Sequence, residues 1–356
     1  MKIALITDTH FGARNDSQVF QAHFDNFLTN VFFPELEKRE IKTLIHLGDL
    51  VDRRKYINYV TLNFVRTNFI NRLADLGIDT HIIIGNHDTY YKNTNEVNSV
   101  NELFTTYEGK VEPWIYHEPT TKNFDGLDIC LMPWICSQNY NQCMKELETT
   151  KAQVLMGHLE VNGYTMFPGS VCVHGFDREV FSKFDKVYSG HFHYKNGDST
   201  ITYIGTPWEL MWSDYGDQKG FYIFDTETRE TEFIPNPYNI FHKVIYNDET
   251  SDMEKYQFEN LEKRYVKLIV AEKKNPYIFD RFVDRLYKLN PEDVNIIEDS
   301  YNVLHESEDF VNFEAEDTLT TLIKYVHDVE ISNDDIDKGE VEDLMKVLYT
   351  EAHDYI

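Results

Sequence analysis

Five short segments of this chain carry side chains that can bind a metal ion, and each one follows an apolar run typical of a buried strand. The clearest segment is GNHD at residues 85–88, which follows HIII at 81–84. The other four are Asp8-Thr9-His10, GDLVD at 48–52, Gly157-His158 and GHFH at 190–193. Packing alone does not explain five strand ends of this kind, so we expect the fold to bring the five tips together.

The combined donor set is two carboxylates, one amide and four imidazoles. Its members are Asp8, His10, Asp49, Asn86, His158, His191 and His193. Two hard divalent ions about 3.5–4 Å apart can clamp a phosphoryl group, and they take oxygen and imidazole ligands. The mixture suits Mn²⁺ better than Ca²⁺, and the lack of a thiolate disfavours structural zinc. Any one of these residues alone is better explained by ordinary hydrogen bonding, but five segments in this order predict a di-metal site.

Composition limits the class of protein. The chain has 356 residues, 42% of them hydrophobic, with 24 Phe and 23 Tyr, which is enough for a normal core and more than one domain. The net charge of −27 argues against a protein that coats DNA nonspecifically. It does not exclude an enzyme that meets a polyanion through bound metal ions and a local basic loop.

The sequence also bears on the compartment. The four cysteines, at 130, 136, 143 and 172, form no C-x-x-C pair, so we expect reduced thiols in the core. A carboxylate at Asp8 interrupts any signal-peptide core at the N-terminus, and no apolar run approaches the roughly 20 residues that cross a bilayer. We therefore expect a cytoplasmic protein that does not contact membranes, in the host cell cytoplasm if the chain is phage-encoded.

Strand and helix patterns alternate through the first third of the chain. Strands are predicted at 1–8, 43–49 and 79–84, with helices at 17–40, 58–76 and 97–107. This order predicts a largely parallel α/β sheet. Shorter strands up to residue 234 predict a second, mixed sheet packed on the first. With helices outside both sheets, residues 1–236 should form a four-layer α/β/β/α sandwich.

The remainder divides into three parts. Residues 237–298 predict a small α+β domain, residues 299–315 an acidic linker, and residues 316–356 a helical hairpin. The apolar stripes of its two helices are Leu319, Leu322, Ile323 and Val326, and Val341, Leu344, Met345 and Leu348. The hairpin either packs on its own domain or docks on a partner's helices, and the acidic linker favours docking.

The motifs D-x-H, G-D-x-x-D, G-N-H-D, G-H and G-H-x-H, in this order, resemble those of the calcineurin-like metallophosphoesterases over residues 1–235. Within that superfamily the chain resembles the double-strand-break-repair nucleases of the meiotic-recombination-eleven family, called SbcD in bacteria, and most of all the recombination endonuclease subunits of large tailed phages. The supporting segments are DTHFG at 8–12, DRRK at 52–55, YKN at 91–93, LMPW at 131–134 and YIGTPW at 203–208.

The resemblance implies a role for each residue of the site. The two ions would be held by Asp8, His10 and His193, and by Asn86, His158 and His191, with Asp49 bridging them. A water activated by both ions would attack phosphorus. His87 would not be a ligand but would stabilise the transition state or protonate the leaving 3′ oxygen. Eukaryotic and archaeal members tend to carry His at Asp52; here we expect the Asp52 carboxylate to orient His87 and raise its pKa.

Basic and aromatic residues beside the motifs are candidates for DNA contacts. They are Arg14, Arg53, Arg54, Lys55, Tyr91, Lys92 and Lys195. The basic members could hold backbone phosphates and the tyrosine could stack on an unpaired base. The alternatives are a solvated surface for the charges and core packing for the ring.

Together these features predict a Mn²⁺-dependent DNA nuclease, with Mg²⁺ as the other candidate ion. The resemblance implies an exonuclease on duplex ends and an endonuclease on single strands or hairpins. It also implies a homodimer through helices near 58–75 and 96–107, and an SbcC-type coiled-coil ATPase bound by the hairpin.

Two rival interpretations stay open. The first is a protein or small-molecule phosphatase of the same superfamily, although such enzymes usually carry Gly at Arg54 and G-N-H-E rather than G-N-H-D. The second is a scaffold that keeps the metal site but serves to assemble a partner ATPase at DNA ends.

Overall fold

The structure is a computed structural model and describes residues 1–104 and 113–298, with Gly339, Val341 and Leu344. In chain order its strands are β1 (Lys2–Ile6), β2 (Thr43–His46), β3 (Asp79–Ile83), β4 (Trp114–Tyr116), β5 (Thr120–Phe124), β6 (Leu127–Met132), β7 (Val154–His158), β8 (Thr165–Phe167), β9 (Ser170–Val171), β10 (Lys186–Gly190), β11 (Asn196–Gly197), β12 (Ile201–Tyr203), β13 (Gly220–Asp225), β14 (Thr231–Pro235), β15 (Phe241–Asn247), β16 (Tyr265–Glu272) and β17 (Asp293–Ile297).

Helices cover the strands. The first runs through Gln18–Phe27, a π turn at Leu28–Phe32 and Phe33–Lys38; the second runs through Tyr59–Phe64, a π turn at Val65–Ile70 and Asn71–Asp75. The others are Ser99–Phe104, Tyr140–Thr149 and Pro276–Tyr287, with a short left-handed turn at Ala13–Asp16 and 3₁₀ turns at Arg178–Phe181, Trp212–Asp214 and Met253–Lys255. Across the described ranges, no helix combines the length and apolar character needed to cross a membrane.

The first sheet has the order β14-β13-β1-β2-β3-β4. Strands β1 to β4 run parallel to one another, and β13 and β14 add an antiparallel hairpin beside β1. The apolar runs of the sequence form the central strands because both faces of a parallel sheet are buried. The predicted strand–helix alternation is therefore confirmed.

The second sheet has the order β11-β12-β10-β7-β6-β5. Its four inner strands are parallel, and the two edge strands are antiparallel to their neighbours. The sequence pattern did not predict β5 because its segment TTKNF places polar side chains on the solvent side of an edge strand. It also missed the small hairpin of β8 and β9.

The two sheets pack face to face. Their shared core contains Leu5, Ile45 and Ile83 from the first sheet and Leu131 and Met156 from the second, all fully buried. The first two helices cover the outer face of the first sheet, and Tyr140–Thr149 covers the outer face of the second. The layers therefore follow the order α/β/β/α, which confirms the predicted fold class.

A smaller unit follows β14. Strands β15, β16 and β17 form a parallel sheet with its own core, to which the helix Pro276–Tyr287 contributes Phe279 and Phe282. The ring of Phe20 in the first helix contacts Phe241 and Tyr265 of this unit, with ring centroids 6.0 and 5.5 Å apart. The predicted linker at 299–315 and hairpin at 316–356 lie outside the described residues, apart from Gly339, Val341 and Leu344, which are helical.

A buried carboxylate fastens the small unit to the larger one. Glu209 is 2% exposed, and its Oε2 accepts the main-chain N–H groups of Ile240 at 2.7 Å and Phe241 at 3.0 Å. Burial raises the pKa of Glu209 from 4.5 to about 7, although the two N–H donors act in the opposite direction. The side chain therefore keeps its proton at pH values where an exposed glutamate has lost it.

This raised pKa predicts a pH-dependent stability. Between its ordinary pKa of 4.5 and about 7, the folded protein binds a proton on Glu209 that the unfolded chain releases. The stabilisation is complete below 4.5 and is lost as the pH rises through about 7. Glu209→Gln stays neutral and keeps the accepting oxygen. We expect the wild type to lose stability relative to this variant by up to about 1.4 kcal/mol per pH unit over that range. Urea unfolding at several pH values measures it, and parallel curves would contradict the prediction.

Candidate metal centre

All five segments singled out in the sequence reach one edge of the sandwich. Parallel strands place their carboxyl ends together, and the ligands sit there. Asp8 and His10 follow β1, Asp49 follows β2, Asn86 and His87 follow β3, His158 ends β7, and His191 and His193 follow β10. The two sheets therefore supply the site jointly, three loops from one sheet and two from the other.

One group of ligand atoms consists of Asp8, His10 and His193. The Nε2 atoms of the two imidazoles are 3.1 Å apart. Asp8 Oδ1 lies 3.9 Å from Nε2 of His10 and 4.0 Å from Nε2 of His193. The three side chains thus face a common point.

A second group forms around Asn86. Its Oδ1 lies 2.9 Å from His158 Nε2 and 3.0 Å from His191 Nδ1. Asp49 joins the two groups because its Oδ2 lies 3.3 Å from His158 Nε2 and 3.7 Å from His10 Nε2. A carboxylate that faces both groups is the arrangement that a bridging ligand requires.

The chemistry of this donor set fits two divalent cations. Oxygen and imidazole donors converge without a thiolate, which matches mid-row divalent ions. Burial lowers the pKa of His191 to about 3 and depresses that of His193, so both rings are neutral and each has a lone pair available for a metal ion. The seven residues are therefore the candidate ligands of this centre.

The charges of the site show why it needs cations. Asp8 and Asp49 are almost completely buried, and burial raises the pKa of Asp8. Although burial alone disfavours the charged rings, the nearby carboxylate of Asp52, followed by that of Asp49, raises the pKa of His10 to about 9, and Asp49 raises that of His158 to about 9. The site therefore draws positive charge to these oxygens, and a divalent ion supplies it directly.

The backbone at the ligands is strained. Asp8, His10, Asp49 and His191 have φ angles of 48°, 41°, 55° and 84°, in the left-handed region. Such residues cost about 1–3 kcal/mol each and cluster at functional sites. Close approach also explains a motif glycine, because a Cβ on Gly85 would collide with the carboxylate and main chain of Asp49.

Asp88 is a residue whose role the sequence analysis missed. It is fully buried, and its carboxylate accepts N–H groups from Gly85 at 2.9 Å, Asp49 at 2.8 Å and Leu50 at 2.9 Å. It thereby ties the loop after β3 to the loop after β2. The available signal was its position: it is the last residue of GNHD, next to two candidate functional side chains.

His87 lies beside the ligands and is held at two points. Its main-chain N–H donates to Asp49 Oδ1 at 2.7 Å, and its Nδ1 lies 2.7 Å from the main-chain oxygen of Asp52. Since a carbonyl oxygen only accepts, Nδ1 carries the proton. The ring of His87 packs edge-on against that of His10, with centroids 4.8 Å apart.

The expected contact between the Asp52 carboxylate and His87 is wrong. The main-chain oxygen of Asp52 takes that place, whereas its carboxylate lies 3.4 Å from His10 Nδ1. Burial lowers the pKa of His87 overall, although Asp52 acts in the expected direction and raises it. The pattern placed Asp52 near His87 but did not show which atoms face the ring.

The candidate DNA-contacting residues divide by exposure. Arg14, Lys55, Tyr91 and Lys92 are exposed, and Arg54 is half-buried. Arg53 is engaged by Asp16 at 2.6 Å, and Lys195 Nζ lies 3.9 Å from the ring centroid of Phe233. Arg53 and Lys195 therefore already make contacts within the protein.

A solved structure of an archaeal phosphodiesterase is similar at 15% identity, covering 66% of this chain and all of that chain, with a TM-score of 0.30. That score is too low to carry an argument. Sequence relatives are more informative. The SbcD component of the nuclease SbcCD of Staphylococcus epidermidis is 23% identical over 266 residues, 66% of this chain and 69% of the relative.

Exonuclease subunit 1 of Enterobacteria phage T4 is 32% identical over 354 residues, which is 99% of each chain. Residues 1–195 match the calcineurin-like phosphoesterase family, and these residues include every ligand of the candidate centre. This match covers more than half of the chain and agrees with the two-sheet fold. The protein therefore belongs to the calcineurin-like phosphoesterases and is a metal-dependent phosphodiester hydrolase.

Proposed function

We propose that this protein is a Mn²⁺-dependent DNA nuclease that acts in double-strand-break repair and recombination as the nuclease subunit of an ATPase complex. It cuts duplex ends as an exonuclease and single strands or hairpins as an endonuclease. The observation that carries the proposal is the position of Asp49 between two ligand groups, with His87 fixed beside it. The names of two relatives, both nuclease subunits, support the choice of DNA as substrate.

The proposed ligands of the two ions keep the arrangement described above. They are Asp8, His10 and His193 for one ion and Asn86, His158 and His191 for the other, with Asp49 shared. When bound, two such ions lower the pKa of a water and neutralise charge on the phosphoryl oxygens. Mn²⁺ suits the mixed oxygen and imidazole set, and Mg²⁺ is the alternative.

His87 acts on the substrate rather than on a metal ion. Because its Nδ1–H is committed to the Asp52 main-chain oxygen, Nε2 is the ring atom that can take up and release a second proton. A phosphate beside the ring favours that protonated form, since opposite charges attract in a buried site. The charged ring then stabilises the transition state or gives its Nε2 proton to the leaving 3′ oxygen.

The carboxylate of Asp52 serves His10. It lies 3.4 Å from Nδ1, on the opposite side of the ring from Nε2, which faces the ligand group. Histidines that bind metals usually donate their other N–H to a carboxylate or carbonyl, which fixes the ring and strengthens the ligand. We assign this orienting role to Asp52.

Surfaces for DNA, a second copy and an ATPase complete the proposal. Arg14, Arg54, Lys55 and Lys92 hold backbone phosphates, with smaller contributions from Arg53 and Lys195, and Tyr91 stacks on an unpaired base. The homodimer forms through the helices near 58–75 and 96–107, where Tyr59 and Val60 are exposed. The ATPase, of the SbcC type, docks on the hairpin stripes that include Leu319 and Val341. The complex works in the cytoplasm.

His87→Ala tests the nuclease. We expect degradation of end-labelled duplex DNA to require Mn²⁺ and to fall about 10²- to 10⁴-fold in the variant, because a proton donor is lost. Binding of Mn²⁺ should be unchanged because His87 is not a ligand. His117→Ala, outside the ligand groups, serves as the control and should cut normally.

Two outcomes would contradict this proposal. If DNA stays intact while a small phosphomonoester is hydrolysed, the protein is a phosphatase. If neither substrate is cut, even with the partner ATPase present, the protein is a scaffold.

Asp52→Asn separates its two possible roles. If the carboxylate orients His10, Mn²⁺ affinity should fall about 10- to 100-fold and excess Mn²⁺ should restore much of the rate. Calorimetric titration of Mn²⁺ and the pH profile of cleavage measure the two effects. Unchanged affinity with a basic limb shifted to lower pH would instead assign the carboxylate to His87.

A further inference from the structure

Lys219 is a buried lysine that the mechanism above does not use. It is 4% exposed and directly precedes β13. Its Nζ donates to Asp214 Oδ1 at 2.9 Å, to Asp217 Oδ2 at 3.0 Å and to the main-chain oxygen of His193 at 2.8 Å. Lysines are rarely buried this far unless they are paired, so the three contacts account for its position.

The third contact reaches the metal centre. The main-chain oxygen of His193 accepts from Lys219 and also from the N–H of Thr206 at 3.2 Å. The side chain of His193 is 23% exposed, whereas those of Asp8 and His10 are 0% and 2% exposed. Packing therefore holds His193 less firmly than the other two members of its group, and the two hydrogen bonds to its main chain supply the restraint.

We propose that Lys219 is a positioning residue for His193 and thereby for the ion assigned to Asp8, His10 and His193. The inference rests on the proposed metal centre and adds to it. Nζ has three N–H donors, and all three are used: one fixes the ligand loop, and two are anchored on carboxylates.

The anchor itself is rigid. Asp214 uses its other oxygen, Oδ2, to accept the N–H groups of Leu210 at 2.8 Å and Met211 at 3.0 Å. Asp217 Oδ2 also accepts the N–H of Lys195, two residues beyond His193, at 3.5 Å. Lys219 thus links the ligand loop to a turn that has its own hydrogen bonds, so the position of His193 is set by the turn.

The test is Mn²⁺ binding by the full chain, measured by calorimetry and by electron paramagnetic resonance, for the wild type, Lys219→Met and His193→Ala. Methionine keeps the length of the stem but removes the donors. We expect Lys219→Met to lower the affinity for one of the two Mn²⁺ ions about 10- to 100-fold, because loss of a group that orients a ligand has an effect of this size. The other ion should bind normally, and the spectrum of the coupled pair should disappear at limiting Mn²⁺, as in His193→Ala.

Lys183→Met is the matched control. Lys183 Nζ also donates to main-chain oxygens, those of Glu148 at 3.1 Å and Thr150 at 2.7 Å, but these residues lie at the end of the helix Tyr140–Thr149. Its Mn²⁺ binding should equal that of the wild type. Thermal unfolding in chelator shows whether each variant is folded without using the metal centre.

The outcomes are distinct. A wild type that binds no Mn²⁺ would overturn the proposed centre itself. If folded Lys219→Met binds both ions with wild-type affinity, or binds both with equally reduced affinity, only the positioning role is overturned. If Lys219→Met does not fold, Asp217→Asn decides, because it weakens the anchor and keeps an accepting oxygen: weakening confined to one ion supports the role, and unchanged binding overturns it.

Discussion

The burial of two carboxylates at the meeting point of two sheets is the constraint on which the site depends. Asp8 and Asp49 follow neighbouring parallel strands and are almost removed from water. Burying a carboxylate without a partner costs several kcal/mol of folding free energy. Hydrogen-bond donors or positive charges nearby must therefore stabilise it. Thr7 donates its hydroxyl to Asp8 at 2.6 Å, and the main chains of His191 and His87 donate to Asp8 and Asp49. Divalent cations would compensate the negative charge that these hydrogen bonds stabilise only in part. Metal binding therefore contributes to the stability of this edge of the fold.

The same constraint explains the local conformations. To aim side chains from different loops at one point, the chain adopts left-handed φ angles at four candidate ligands and brings Gly85 against Asp49. Such strain persists only where the surroundings enforce it. Asp88 provides that enforcement by binding the N–H groups of two loops with one carboxylate, and the rigid strands beneath fix the loop ends.

The sequence predicted the parallel strands and the candidate ligands, because apolar runs mark buried strands. Apolar runs ending in Asp, Asn or His predicted both the parallel strands and the residues that meet at their ends. The pattern did not reveal β5, whose polar side chains lack a core signal. Nor did it reveal the partners of Asp52 or the role of Lys219, because these depend on contacts across loops that are far apart in the chain. A shift of a few ångströms decides whether Asp52 faces His87 with a carboxylate or with a carbonyl, and residue spacing does not encode such a shift.

One loop, residues 204–219, joins the site to the small unit. Trp208 donates its indole N–H to the main-chain oxygen of Thr9, at 3.2 Å, between two ligands, and stacks on Phe24 of the first helix. The next residue, Glu209, holds the main chain where the small unit begins. Lys219, at the end of the loop, holds His193. These three contacts lie on one connected loop. The same loop therefore contacts the main chain of Thr9 near its start and that of His193 at its end. Asp214 adds buried hydrogen bonds within the loop, to the main chain of Leu210 and Met211 and to Lys219. This loop therefore makes contacts with both the small unit and the metal centre.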